Sequence, residues 1–478
     1  MPDEIGLQLG TLQKAKWVKL EGLLTIAALA MKKDAVTSIS LLGSGSYNIV
    51  YKVVFSDGTC IAASISRASE ESFNVAAKES ELASMQFVRE SGSYPTIPVP
   101  YVHAWDLSFA NPVGAPYVLM ESIEGETLDK AEIGSGDERL RGLDSLSEKE
   151  QLQAVNTLAR VEAALRKPIS SDLIGSPLKS EVPSSLRVGS MATLSGRTQG
   201  GPWKSLPDMW YHFLEQGFLF AMTECSLPET DKTSSPEGTP QEIGELLRLL
   251  AALVPHFVPP PYYRTLVLHH PDLALRNIIV DPEDHTKVLG VIDWAGTAVV
   301  PLILAGQYPG DIMTTGDSPF LLNPSLYEDG EDWFSVPYDW TSAGDPSEWP
   351  RAFGNGGRRV DYSTRVQVNT KRFWLRQYFG VCFSKSMQEI HATVNLRHAR
   401  IHADSQYYLK FHEVVCGGVD KWVYHKKWIR ETFTRLQRVG PPSKEQLIQG
   451  PNTYKTFVLD TTCDLGSLER ETEPQRNE

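Results

Sequence analysis

The sequence predicts an α+β protein of two units, a small β-rich one followed by a larger, mostly helical one. Three observations predict it. Strand-length apolar runs crowd residues 39–66 and are separated by a Ser56-Asp57-Gly58 turn, a hairpin pattern. From about residue 149 the apolar period changes to three-to-four, with Leu152, Val155, Leu158 and Leu165. The chain of 478 residues is also too long for one compact core.

Residues 1–35 read as a helical extension, with a surface helix over 7–33. Its apolar run Leu23 to Met31 is too short to span a bilayer. Asp3 and Glu4, with Glu21 against the run, depart from the basic lead-in of a secretory or mitochondrial leader. The first unit covers 36–124, with strands at Ile39–Leu42, Asn48–Phe55 and Thr59–Ser66 and a helix over 70–91. After the connector bearing Pro95, Pro98 and Pro100 come strands at Val102–Asp106 and Tyr117–Met120, the last ending in Glu121. The second unit covers 125–455, with further helices over 208–222 and 241–254 and a polar loop from Cys225 to Pro240. Residues 456–478 form a tail whose charged, apolar-poor end predicts disorder.

Composition narrows the function classes. Hydrophobic residues at 41% and charged residues at 22% are ordinary for a soluble globular protein. The five cysteines lie far apart with no C-x-x-C pair, which fits neither a disulfide framework nor a zinc site and suggests a reducing compartment. A cytoplasmic location is the expectation. The net charge of -13 argues against a nucleic-acid partner.

The chemistry concentrates in His269-His270-Pro271-Asp272-Leu273-Ala274-Leu275-Arg276-Asn277. Next come Ile278 to Val280, a turn over Asp281 to Lys287, and Val288 to Asp293, a loop leading into a β-hairpin. A hairpin brings its ends together, so Asn277 and Asp293 become neighbours across 16 residues, with Asp272 beside them on the same loop. Phosphoryl transfer needs a carboxylate to accept the attacking hydroxyl's proton and hard oxygen ligands for Mg²⁺. Asp272 suits the base, and Asn277 with Asp293 suits the metal.

Two more features fit that chemistry. Leu42-Gly43-Ser44-Gly45-Ser46-Tyr47-Asn48 lies between strands, where glycines let the backbone approach an anion closely. Such a turn alone is an ordinary hairpin loop; its place ahead of a helix and the Asp272 loop favours the phosphate reading. Glu81 shares a helical stripe with Ala77, Met85 and Val88, so an inward carboxylate calls for a partner.

Together these motifs resemble the protein-kinase-like two-lobed fold, and within it the aminoglycoside-phosphotransferase-like family with its many fungal members, over residues 36–310. The resemblance implies a small β-rich N-lobe, a larger helical C-lobe, ATP and Mg²⁺ as cofactors, and a small-molecule acceptor. Gly43, Ser44, Gly45, Ser46 and Asn48 look like its phosphate loop, and Glu81 like its helix glutamate. Val118-Leu119-Met120-Glu121 looks like the hinge that holds adenine through backbone groups. Ile292-Asp293-Trp294 takes the place of the protein kinases' Asp-Phe-Gly. Ala274 stands where many protein kinases carry a lysine, and no Ala-Pro-Glu follows Asp293, so a protein substrate is disfavoured.

One position departs from the family. Ala62 and Ser64 share the inward face of their strand, and Ser64 stands where Lys or Arg grips the α- and β-phosphates and pairs with Glu81. Arg67 is an odd number of residues away and faces outward; Lys52 and Lys78 are the candidate substitutes. Ser64 also motivates a second reading, a weak pseudokinase that binds nucleotide and acts through partners. Residues 301–350 carry nine acids (Asp311, Asp317, Glu328, Asp329, Glu331, Asp332, Asp339, Asp345 and Glu348), four Trp or Tyr side chains from Trp333 to Trp349, and no Lys or Arg. They suggest an amine-bearing acceptor, or else a solvated acidic loop.

Overall fold

Alternating side chains decide how the first sheet is covered. The computed structural model describes residues 17–129, 142–182, 185–193, 199–226, 238–313, 352–353, 359–360, 362–390 and 401–439. Strands β1 (Val36–Ser44), β2 (Asn48–Phe55), β3 (Cys60–Ser66), β4 (Val102–Asp106) and β5 (Tyr117–Glu121) form one antiparallel sheet in the order β1-β2-β3-β5-β4. Ile49, Tyr51, Val53 and Phe55 of β2, Ile61, Ala63 and Ile65 of β3, and Tyr117 and Leu119 of β5 share one core. A face that apolar needs a covering layer.

The helix Leu20–Met31 supplies it, burying Leu20, Leu23 and Ala27 in the same core. The surface helix expected over 7–33 is thereby corrected: it starts at Leu20, and its inner side roofs the sheet. Residues 1–16 lie outside the described residues. Val50, Lys52, Ala62, Ser64, Val118 and Met120 point the other way by parity, and the register sets Ala62 opposite Met120 and Ser64 opposite Val50 and Val118. That second face looks toward the rest of the protein.

The helix Val75–Glu90 starts later than the expected residue 70. Asn74 caps it by accepting from the Ala77 N–H at 3.2 Å, while residues 69–73 fold as a turn instead. Its Met85, Phe87 and Val88 sit in the larger core, which takes Tyr94, Ile97 and Val99 from the connector after it and most of its other members from the second unit. This helix is therefore anchored to the helical unit, which matters for what its cleft-facing side chains can reach. In the second unit the helix Glu148–Leu165 opens with a capping box between Ser147 and Glu150 and packs against the helix Tyr362–Ile390. The helices Leu206–Ser226 and Pro240–Leu253 follow, and Gln406–Cys416, Gly418–Tyr424 and Lys426–Val439 pack on them.

Strands β7 (Ser176–Leu178) and β8 (Arg187–Gly189) pair as a separate hairpin, and two small sheets carry the loop of interest. Strand β9 (Leu266–His269) pairs with β12 (Ala298–Pro301), while β10 (Ile278–Val280) pairs with both β11 (Val288–Val291) and β6 (Glu126–Thr127). The helical-unit hairpin is fastened to the first unit by the Val291 N–H, which donates to the Pro98 carbonyl at 2.8 Å. Among the described residues no helix is long and apolar enough to cross a membrane.

Candidate active site

The loop between β9 and β10 is held from below by a histidine and from the side by a carboxylate. His270 is buried against Trp294, with ring centroids 4.9 Å apart, and its Nε2 lies 3.2 Å from the Ile292 carbonyl. Burial holds its pKa down to about 4, so the ring is neutral at physiological pH. The Leu275 N–H, at the start of a short 3₁₀ turn over Leu275–Asn277, donates to Asp311 Oδ2 at 2.8 Å. Burial pushes the Asp311 pKa up and this hydrogen bond opposes it.

The hairpin closes as its sequence pattern requires. Ile278 faces Val291, and the Ile292 N–H donates to the Asn277 carbonyl at 3.0 Å, so Asn277 and Asp293 stand at adjacent roots. The buried Asn277 donates from Nδ2 to the Asp272 carbonyl at 2.8 Å and to Asp272 Oδ2 at 3.1 Å. A carboxylate can only accept, so the amide NH₂ must face Asp272, which leaves Asn277 Oδ1 as the free acceptor. The other Asp272 oxygen accepts from Arg276, whose side chain is 55% exposed and so can swing away. These groups converge on one point.

Asp293 has a backbone φ of 62°, in the left-handed region that a side chain other than glycine, Asn or Asp seldom adopts. Its side chain reaches solvent, yet protein crowds the carboxylate. That burial, with the Glu81 and Asp272 carboxylates, pushes its pKa up to about 6, against the opposing charges of Lys78 and Arg276. A crowded carboxylate that feels two others nearby is a place that a cation would stabilise. Asn277 Oδ1 and Asp293 are hard oxygen donors, and a magnesium ion keeps most of its shell for water and phosphate. Among the described residues no group of three His, Cys, Asp or Glu forms a closed metal cage.

Across the cleft, the phosphate-loop candidates lie on the β1–β2 hairpin, where the Gly45 N–H donates to the Asn48 carbonyl at 2.9 Å. A side chain at Gly43 would meet nothing within 4 Å, and one at Gly45 only the Asn48 carbonyl at 3.8 Å. Neither glycine is demanded by packing, so what their bareness preserves is open space. Ser44 accepts from the Arg67 guanidinium, which stacks on Trp17 at 5.8 Å; Ser46 lies beside it, exposed on the turn. Ala62 and Ser64 are buried on the cleft-facing side. Met120, partly buried, shares that side opposite Ala62. Glu121 has its N–H engaged by the Tyr101 carbonyl at 2.8 Å and its carboxylate by the Tyr101 N–H and Arg89, so both face the sheet edge. Glu81 is paired with Lys78 at 2.8 Å.

Of the nine acids over 301–350, only Asp311 falls among the described residues; the other eight lie outside them. Asp311 supports the Asp272 loop, a role that spacing could not reveal because its partner is 36 residues away. Arg276 was legible in principle, four residues after Asp272 on one loop.

With this geometry in place, the comparisons with known proteins are specific. The pattern of the phosphotransferase enzyme family (APH) matches residues 38–303, more than half of the chain. This chain belongs to that family. A subtelomeric hrmA-associated cluster protein of Aspergillus fumigatus is 27% identical to this chain over 351 residues, 63% of the chain and 65% of that relative. The chain thus spans about two thirds of the length of the curated relative it matches. The altered inheritance of mitochondria protein 9 of Debaryomyces hansenii is 34% identical over 103 residues, 21% of this chain and 16% of that protein. Among solved structures, aminoglycoside phosphotransferase APH(4)-Ia aligns with a TM-score of 0.40 at 11% identity, over 87% of this chain and 99% of that one. A macrolide 2′-phosphotransferase from Brachybacterium faecium aligns with a TM-score of 0.36 at 12% identity, over 89% and 99%. Scores this low carry no argument about the site. The fold itself, a β-rich N-lobe and a helical C-lobe, is the one the sequence predicts.

Proposed function

We propose that this phosphotransferase moves the γ-phosphoryl group of ATP to a hydroxyl of a small molecule. Asp272 serves as base, and Asn277 and Asp293 hold Mg²⁺. The observation that carries this reading is the closure of the hairpin, which sets the Asn277 amide 3.1 Å from Asp272 Oδ2 beside Asp293. Bound Mg²⁺ supplies the positive charge that offsets the developing charge on the phosphates. The protein's own residues do the rest. Asn277 fixes the Asp272 carboxylate in place, and release of Arg276 frees the other Asp272 oxygen for the acceptor's proton. The open space over Gly43 and Gly45 admits the phosphates, and the face carrying Ala62 and Met120 receives the adenine. The acidic, aromatic segment after Pro301 favours an amine-bearing acceptor.

Purified protein with a panel of amino- and hydroxy-bearing metabolites tests this. Mg²⁺-dependent ATP turnover that rises with one acceptor supports it. Tight Mg·ATP binding with no acceptor-stimulated turnover supports instead a nucleotide-binding interaction module, the reading that Ser64 favours.

A further inference from the structure

Every charge needed on the catalytic side of the cleft is present, but β3 offers none. Ser64 is 7% exposed on the cleft-facing side, so the strand brings only a short hydroxyl to the position from which a lysine would reach phosphate. The N-lobe nevertheless contains an enclosed cation. Lys78 Nζ lies 2.8 Å from Glu81 Oε2, with the two side chains 11% and 14% exposed. The ion-paired lysines at 33, 52, 287, 385, 421 and 426 are all 27% exposed or more.

Each rival cation is already committed, Arg67 to Ser44 on the β1–β2 turn and to the Trp17 ring. Lys52 shares the Ala62 face, but its ammonium is tied to Glu124, beyond the Met120 end of β5. Arg67 is stacked on Trp17 and its charge is felt by Tyr51, whose side chain lies in the core on the opposite face of the sheet. Arg276 belongs to the Asp272 loop. Lys78 and Glu81 lie seven and four residues before Met85 on one helix face, and Met85 packs in the same core as Ile278, Val291 and Trp294 at the roots of the Asp272 hairpin. They therefore sit at the phosphate end of the cleft.

We propose that Lys78, presented by the helix Val75–Glu90 and oriented by Glu81, contacts the α- and β-phosphates of ATP in place of a strand lysine. This rests on the phosphotransfer reading above. It has a structural corollary. Where the lysine is on a strand and the glutamate on a helix, their pair forms only when the helix is in position, which lets helix movement switch activity. Here both partners are three residues apart on one helix, so the pair assembles whenever that helix folds.

Calorimetric titration with Mg·ATP and, separately, with adenosine tests the proposal. Lys78→Met is expected to weaken Mg·ATP binding by about ten- to hundredfold, the size of a lost charge-assisted contact, and to leave adenosine within about twofold. Lys78→Arg keeps most of the ATP affinity. The double variant Ser64→Lys/Lys78→Met, which returns the cation to β3, recovers at least about tenfold over Lys78→Met. Lys52→Met stays within about twofold of wild type. Wild-type ATP affinity in Lys78→Met overturns the assignment of Lys78 while leaving the phosphotransfer reading intact. Equal loss of ATP and adenosine overturns it too, since Lys78 would then only support the helix. A wild-type protein that binds no Mg·ATP refutes the underlying reading, and the Lys78 proposal with it.

Discussion

The two walls of the cleft are built on different principles. On the C-lobe wall, Asp272, Asn277 and Asp293 come from one stretch of chain, and a hairpin that must close brings them together. On the N-lobe wall, the phosphate loop, Ser64 and Glu81 come from separate strands and a helix, and the charge expected on β3 stands on the helix instead. On the proposed reading the local wall holds the base and the metal ligands together, and the assembled wall supplies its cation from the helix, at Lys78. A constellation within one hairpin has no other residues that could take over a member's role, whereas a cation delivered by a four-carbon stem can be rooted on any element lining the same space.

The largest expected effect is on the local wall. Asp272→Asn should lower phosphoryl transfer by about 10²–10⁴-fold while nucleotide affinity stays within a few-fold, as general-base removal does. Steady-state kinetics beside ATP titration checks it, and retention of most turnover would break the claim that this wall carries the chemistry.

Next, Asp293→Ala or Asn277→Ala should abolish most of the Mg²⁺ enhancement of ATP binding, read by titrating ATP with and without the metal. Unchanged enhancement in both would place the metal elsewhere.

On the assembled wall the effects are smaller and depend on background. Ser64→Lys in the wild type adds a second cation near the Lys78–Glu81 pair, and repulsion should lower kcat/KM for ATP by about two- to tenfold. The same substitution in Lys78→Met should raise it. Opposite signs in the two backgrounds would show that one cation is required; a gain in both would mean that the N-lobe wall is incomplete.

The walls should also differ in acid tolerance. Burial holds His269 at about 3, His270 at about 4, His412 at about 4 and His425 at about 3, all in the C-lobe. Their folded pKa values lie below the unfolded value near 6.5, so the unfolded chain binds protons that the folded one refuses. Stability is therefore full above about pH 6.5 and falls as pH drops toward 4, by up to about 1.4 kcal/mol per pH unit for a fully buried group such as His270. In the N-lobe, His103 is also depressed by burial, but it is only partly enclosed. Thermal melts from pH 7.5 to 5 followed by the buried C-lobe tryptophans should lose Tm before N-lobe probes do.

The contrast between the walls also explains what the sequence made legible. Strand β2 alternates in burial along its length and meets β3 across a short turn, and the catalytic hairpin is closed by its own local turn, so both could be read without knowing any distant contact. The choice between Lys52 and Lys78 could not. It depends on Glu124 holding one and Glu81 the other, across 72 residues in the first case. Asp311 looked like one acid among nine and turns inward to hold Leu275 because the chain doubles back after β12. The helix Leu20–Met31 looked peripheral because its stripe is short; the sheet face it covers is what gives it a place in the core.

The most direct measurement is transfer of radiolabel from γ-labelled ATP to acceptors in a metabolite panel, with wild type and Asp272→Asn side by side in Mg²⁺ and in chelator. The account predicts labelled product from at least one hydroxyl-bearing compound with wild type in Mg²⁺, and none above background with Asp272→Asn or in chelator. Equal labelling by Asp272→Asn, or labelling that persists without Mg²⁺, would contradict it.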